Sequence, residues 1–205
     1  MSKLLIATNN QGKQEEIRSL LSTINIKLVT PAELDLNLDV KESGYTYKEN
    51  ASIKATTFSR KSGLISLADD TGLEVDALEG NPGLFSARYS PLINATDADR
   101  RAYLLKQLLP HPQPWIARFF CVVAIATTAG HVYFSEGSCP GQIIPQERGK
   151  HGFGYDQIFL LPSIGKTMAE LILEEKNQLS HRAIAVMKSI PTLLRLLVIN
   201  ESQEI

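Results

Sequence analysis

Two periods alternate along this chain: short apolar runs closed by polar turns, and segments in which apolar residues return every three or four positions. That alternation predicts strands interleaved with helices. The run Leu4-Leu5-Ile6-Ala7-Thr8 reads as a strand that breaks into Asn9-Asn10-Gln11-Gly12-Lys13, after which Ile17, Leu20 and Leu21 fall at helical spacing. A second helix starts at the capping-box sequence Thr46-Tyr47-Lys48-Glu49, carries Ala51, Ala55 and Phe58 on one face, and ends before Gly63. Leu64-Ile65-Ser66-Leu67-Ala68 reads as a buried strand, and the residues after it, Asp69-Asp70-Thr71-Gly72, are predicted to form a turn at its C-terminal end.

Residues 79–96 are rich in Gly, Pro, Asn and Ser and read as an ordered loop. Thr96-Asp97-Ala98-Asp99 opens a helix carrying Tyr103, Leu104 and Leu108, and the prolines at 110, 112 and 114 stop it. The strongest extended pattern covers 115–127; Ala129-Gly130 turns it into a second run over 131–137, an antiparallel hairpin, so the sheet is expected to be mixed. A loop with Gly137, Cys139, Pro140 and Gly141 precedes the segment ending in Tyr155-Asp156, and 157–161 reads as a strand. Thr167-Met168-Ala169-Glu170 is another capping box, and Ser180 caps a last helix with the stripe Ala183, Val186, Met187 and Ile190 before Pro191. The whole, 1–205, reads as one α/β domain.

Composition narrows the classes. With 205 residues, 43% hydrophobic, the chain can bury a sizeable core. Lys+Arg number 21 against Asp+Glu 22, a formal net charge of -1, so the basic footprint of a dedicated nucleic-acid binder is missing and an anionic ligand must be met by local charge. Two cysteines at unrelated positions indicate neither a disulfide framework nor a zinc site, which fits a reducing cytoplasm. Met1 to Ile6 enters a strand directly and no run approaches the roughly 18 apolar residues of a membrane span, so a soluble, unprocessed protein is expected.

Against that background several short motifs carry chemistry. Asp69 and Asp70 lie where open α/β sheets place ligands, and paired acids there suit a hard divalent cation and, through it, a phosphate. Neighbouring residues of an extended segment point to opposite sides, so the two carboxylates are expected to have different jobs; a solvated Asp-Asp turn would show the same residues. Thr8-Asn9-Asn10-Gln11-Gly12-Lys13 can hold phosphate with backbone N–H groups, a helix N-terminus and a full charge, although it lacks the Walker A spacing and an ordinary β-to-α turn has similar residues. In Gly152-Phe153-Gly154-Tyr155-Asp156 two glycines let the backbone approach a flat ligand and Phe153 offers a stacking face; a glycine-bracketed bulge with Phe153 in the core is the alternative. Arg182, in Ser180-His181-Arg182, sits against the dipole preference of a helix N-terminus, which points to an anionic or carbonyl partner or to a plain exposed Arg.

Taken in order, Thr8-x-Asn10-x-x-Lys13, Ala68-Asp69-Asp70-Thr71-Gly72-Leu73, Pro82-Gly83 with Ser86-Ala87-Arg88-Tyr89, Gly152-Phe153-Gly154-Tyr155-Asp156 and Ser180-His181-Arg182 resemble the inosine triphosphate pyrophosphatase family, over about residues 3 to 197. The resemblance implies hydrolysis of non-canonical purine nucleoside triphosphates such as dITP, ITP and XTP to the monophosphate and pyrophosphate. It further implies an elongated two-lobed α/β fold with a mixed central sheet flanked by helices, a cleft between the lobes, a homodimer and a need for Mg²⁺. Carried over by motif, Thr8, Asn9, Asn10, Gln11, Gly12 and Lys13 hold the triphosphate. Asp70 is the catalytic acid at the metal, with Glu42 or Asp69 as its companion, and Thr71 touches the substrate. Phe153, Gly154, Tyr155, Asp156, Lys176, His181 and Arg182 line the nucleoside end. Asn9, Thr71 and Ala183 stand where many relatives have Gly, Ser and Gly. Two rivals remain: the septum-related nucleotide pyrophosphatases, which should lack the Phe153 and His181 segments together, and a non-catalytic nucleotide sensor.

Overall fold

The computed structural model describes residues 2–201, with side chains through residue 197. Its regular elements are, in chain order, β1 (Lys3–Ile6), α1 (Gln11–Leu20), β2 (Lys27–Val29), α2 (Tyr47–Ser62), β3 (Ile65–Val75), α3 (Asp97–Leu108), β4 (Trp115–Ala126), β5 (Val132–Ile143), β6 (Phe159–Leu161), β7 (Lys166–Thr167), α4 (Leu173–Leu179) and α5 (His181–Glu201). The strands make one seven-stranded sheet in the order β2-β1-β3-β4-β5-β6-β7. It is mixed: β1 runs parallel to β2 and β3, with Leu4 opposite Ile65 and Ile6 opposite Leu67, whereas β6 is antiparallel to β5 and β7. Strands β4 and β5 are neighbours joined by a tight turn in which Thr127 N–H donates to His131 O, the hairpin predicted from Ala129-Gly130.

Chain condensation gives two compact units. The first gathers residues up to Asp70, Cys121–Gly137 and the chain from Arg182 onward. Its core is formed by Leu4, Ile6, Ile17, Leu67, Val123 and Val186 among others, so α1 and α5 bury their apolar stripes on β1, β3 and β4. The second comprises Thr71–Phe120 and Ser138–His181, with a core built on Leu73, Leu104, Leu108, Trp115, Phe159 and Met168. Among the described residues no helix is long and apolar enough to cross a membrane.

Five expectations are corrected. Asp69 and Asp70 are not in a turn: β3 continues through them to Val75, because each carboxylate meets cations and the apolar Leu73 and Val75 that follow are buried in the second core. The predicted loop at 137–141 is strand, β5 running on to Ile143 past Pro140. Gly141 makes this possible, since a Cβ there would lie 2.5 Å from the Phe159 ring and 2.6 Å from Leu160 O, so β6 can approach only a glycine. Of the predicted strand at 157–161, only Phe159–Leu161 is extended; Asp156–Ile158 forms a 3-10 turn. Pro191 does not end α5, which continues to Glu201; proline removes one N–H and strains one turn, but Leu193, Leu196 and Leu197 beyond it are buried in the first core. Met187, placed in the apolar stripe by spacing, is half exposed, and the buried row passes through Ala183, Ala185, Val186 and Leu193 instead.

Capping follows the sequence more closely. Thr46 accepts from Glu49 N–H at the start of α2, although the Glu49 carboxylate reaches Tyr45 N–H rather than closing the box on Thr46. Thr96 and Asp99 form a full box on α3, as do Thr167 and Glu170 on the turn they start.

Replacing Gly141 by Ala forces a methyl into the Phe159 ring and should destabilise the protein by about 1–3 kcal/mol, read as a lower urea midpoint at unchanged m-value. Both cysteines are buried in strands, and burial together with nearby Asp156 pushes the Cys139 thiol up to about 11. Neither thiol should react with an aromatic disulfide reagent at pH 8 in the native protein, while both react in urea.

Candidate active site

Adjacent residues of a strand project to opposite faces, and β3 uses this to give its two aspartates separate company. Asp69 is 1% exposed, and its Oδ2 lies 3.1 Å from Lys13 Nζ and 3.1 Å from Arg182 Nε. Arg182 is itself buried and its Nη1 is hydrogen-bonded to Glu16 Oε2. Lys13 and Glu16 stand one turn apart on α1, so a row of alternating charge, buried beyond the half-buried Lys13, runs Lys13, Asp69, Arg182, Glu16. Burial opposes the Arg182 cation, but Glu16 and Asp69 outweigh it and hold its pKa above the usual arginine value.

Asp70 faces α2. Its Oδ1 takes a hydrogen bond from Lys54 Nζ at 3.0 Å and its Oδ2 one from Asn50 Nδ2 at 3.3 Å. Lys54 Nζ also donates to Glu42 Oε1 at 2.6 Å, so one ammonium holds two carboxylates. Asn50 and Lys54 are four residues apart on the buried face of α2, and Asn50 Oδ1 accepts from Gly44 N–H at 2.8 Å, which ties the extended segment carrying Glu42 to the helix. Burial pushes the Asp70 carboxyl up; Lys54 and Lys13 pull it down, Glu42 adds to the rise, and the net shift is upward. Burial works against the Lys54 ammonium, yet Asp70, Asp69 and Glu42 raise it above the ordinary lysine value.

The loop before α1 is partly self-satisfied. Asn10 caps the helix by accepting from Lys13 N–H at 3.0 Å, Asn10 N–H donates to Thr8 Oγ1 at 3.2 Å, Gln14 Nε2 donates to Thr8 O and Asn9 Nδ2 to Leu38 O. Gln11 and Gly12 occupy the first turn, whose N–H groups have no acceptor within the helix. The N–H supply expected from this segment is thus narrower than its composition suggests.

A second cluster occupies the other unit. Asp156, buried, accepts from Phe153 N–H at 3.0 Å and pairs with buried Lys176 at 2.6 Å. Lys176 Nζ also lies 5.2 Å from the centroid of the half-buried Phe153 ring. Phe153 lines a cavity of about 190 Å³ with Asp97, Arg101, Lys150, His151, Gly152 and Gln157. Tyr155 is buried and its hydroxyl donates to Ser86 O at 2.9 Å, so its ring packs instead of facing a ligand; Ser86 Oγ in turn accepts from Leu73 N–H. His181 is buried with its ring stacked on Phe119, centroids 4.7 Å apart. Thr71 lies half-buried in β3 directly after Asp70.

Spacing alone did not single out Asn50, Lys54, Glu16, Asp97 or Arg101. The signal for the first two was available as polar residues four apart beside the stripe Ala51, Ala55 and Phe58. That for Glu16 was an acid one turn from Lys13. Asp97 and Arg101 reach across from another element, which no local pattern reveals.

The Ham1 family model matches residues 4–192. A dITP/XTP pyrophosphatase of Desulforamulus reducens is 42% identical over 200 residues, covering 97% of this chain and 99% of that protein. One of Listeria monocytogenes is 43% identical over 187 residues, covering 91% and 92%. The solved structure of a HAM1 protein from Coxiella burnetii superposes with a TM-score of 0.85 at 38% identity, covering 95% of this chain and all of that one. The chain belongs to the Ham1 family, in agreement with the resemblance carried by its ordered motifs.

Proposed function

We propose that this chain hydrolyses the non-canonical purine nucleoside triphosphates dITP, ITP and XTP to monophosphate and pyrophosphate, with Mg²⁺, as a cytoplasmic homodimer. The observation that carries the reading is the buried carboxylate of Asp70, held by Lys54 with Glu42 and raised by desolvation, in a chain whose relatives are named dITP/XTP pyrophosphatases.

The donor set suits the metal. Asp70 and Glu42 offer hard carboxylate oxygens around one shared positive charge, and Mg²⁺ is bound through one or two carboxylates while keeping water and phosphate oxygens. Asp70 and Glu42, with Asp69 in support, would hold Mg²⁺, which would supply charge neutralisation at the phosphate oxygens. Asp70, with its affinity for protons increased by burial, takes the proton of the water that attacks the α-phosphorus. Lys13, Thr8 and the first-turn N–H groups of α1 stabilise the charge that builds on the departing pyrophosphate. Arg182 fixes Asp69 beside Lys13, and Lys54 keeps Asp70 and Glu42 together.

For the base, Phe153 offers its ring to the purine, with Lys176 over that ring and Asp156 holding the Phe153 N–H. Hypoxanthine and xanthine carry a carbonyl at C6 where adenine has an amino group. A donor from His181 or Arg182 aimed at that oxygen would leave adenine facing an unpaired donor, a discrimination of about 10⁴-fold in favourable cases.

Pyrophosphate release measured with ITP, XTP, dITP, ATP and GTP, with Mg²⁺ and with chelator, is expected to show fast turnover of the first three only when Mg²⁺ is present; ATP turned over as fast as ITP would defeat the base-recognition reading. Asp70→Asn should lower kcat by about 10²–10⁴-fold with the circular dichroism spectrum retained, since Lys54 keeps Glu42 as a partner. Wild-type turnover in that variant would remove Asp70 from the mechanism.

A further inference from the structure

The segment that presents Phe153 is soft by its own sequence and held by charges from elsewhere. Gly152 and Gly154 flank it at φ +73° and +63°, a region that glycine enters freely and other residues rarely do, and a Cβ at 152 would collide with Asp156 Oδ2. Two such hinges leave the direction of the ring undetermined by local preference. Yet three consecutive peptide units are each fixed by an acidic or basic side chain. Asp156 Oδ2 accepts from Phe153 N–H at 3.0 Å, Asp97 Oδ2 accepts from Gly154 N–H at 2.7 Å, and Arg101 Nη1 donates to Gly154 O at 2.9 Å.

Asp97 and Arg101 stand four residues apart on the first turns of α3, so one helix face grips both sides of Gly154. The grip is braced. The Thr96–Asp99 capping box fixes the start of α3, and Glu147 binds Arg101 through two bonds, 2.7 Å to Nε and 3.1 Å to Nη2. Both α3 residues also line the cavity that Phe153 faces. Charge-assisted bonds of this kind are the strong class, and they add to the apolar packing of α3 through Leu104 and Leu108.

We propose that Asp97 and Arg101 are positioning residues that set the Phe153 ring for stacking on the purine base, and so act on substrate affinity and base choice rather than on the chemical step. The proposal rests on the reading of Phe153 as a stacking face. Its test is a double-mutant cycle with ITP and ATP on the full chain, using Arg101→Met, Asp97→Ala, Phe153→Ala and the two combinations with Phe153→Ala. Arg101→Met and Asp97→Ala should each raise KM for ITP roughly tenfold with kcat within about twofold of wild type, and narrow the ITP-to-ATP preference. Arg101→Lys should recover part of the loss. In the Phe153→Ala background neither change should add more than about twofold, because the ring they orient is gone. Phe153→Ala with unchanged KM would overturn the stacking reading and the positioning role with it. A raised KM for Phe153→Ala while Arg101→Met and Asp97→Ala keep the wild-type KM, or effects of those two that multiply fully with it, would overturn the positioning role while leaving the stacking reading in place. Should one α3 variant fail to fold, the other tests the same grip from the opposite side of Gly154.

Discussion

Two carboxylates buried side by side within a strand set the terms for everything around them. A desolvated carboxylate is tolerated only when paired and hydrogen-bonded, and neighbours on a strand face opposite ways, so one cation cannot serve both at contact distance. The chain therefore needs cations on two sides of β3. On one side they come from α1 and the start of α5, as Lys13 and Arg182; on the other from α2, as Lys54. Arg182 is fully buried and needs a further anion, which Glu16 supplies. Breaking such a buried pair by removing one partner typically costs about 3–5 kcal/mol, so the placement of these helices and the ionisation of the site are a single constraint.

That constraint divides the labour between the aspartates. Asp69 has two cations on one oxygen. It fixes where Lys13 and Arg182 sit. Asp70 shares its ammonium with Glu42, and its other contact is the long hydrogen bond from Asn50, so desolvation outweighs the attraction and its affinity for protons rises. The neighbour locked by charge acts as scaffold; the one raised by burial is suited to exchange a proton.

Much of this was legible in the sequence, and the limits have physical causes. The helices announced themselves by caps and stripes, and the hairpin by its Gly turn. By contrast β2 has three residues and α4 starts at Leu173 behind Ile172, without the Ser, Thr, Asp or Asn that marks most N-termini. The turn expected at Asp69-Asp70 and the stop expected at Pro191 failed for the same reason. Local propensity was overridden by long-range partners, cations in the first case and the apolar core in the second. Arg182 shows inference succeeding in kind: a cation placed against a helix dipole needs anions, and Asp69 and Glu16 are those anions, 113 and 166 residues away in sequence. No local window contains such pairs. Only the order of motifs along the whole chain carried their combined meaning.

The same electrostatics bears on whether the chain turns nucleotides over or merely binds them. A triphosphate is repelled by every uncompensated carboxylate near it, so a protein that only sensed nucleotides would gain affinity by replacing Asp70 and Glu42 with neutral donors. This chain keeps both, holds them on one lysine, and raises the proton affinity of Asp70 by burying it. In the proposed reading a cation bound with the substrate neutralises these carboxylates and one of them accepts a proton as the reaction proceeds. The interaction is then stronger in the transition state than in the ground state, which is the requirement for catalysis and not for sensing.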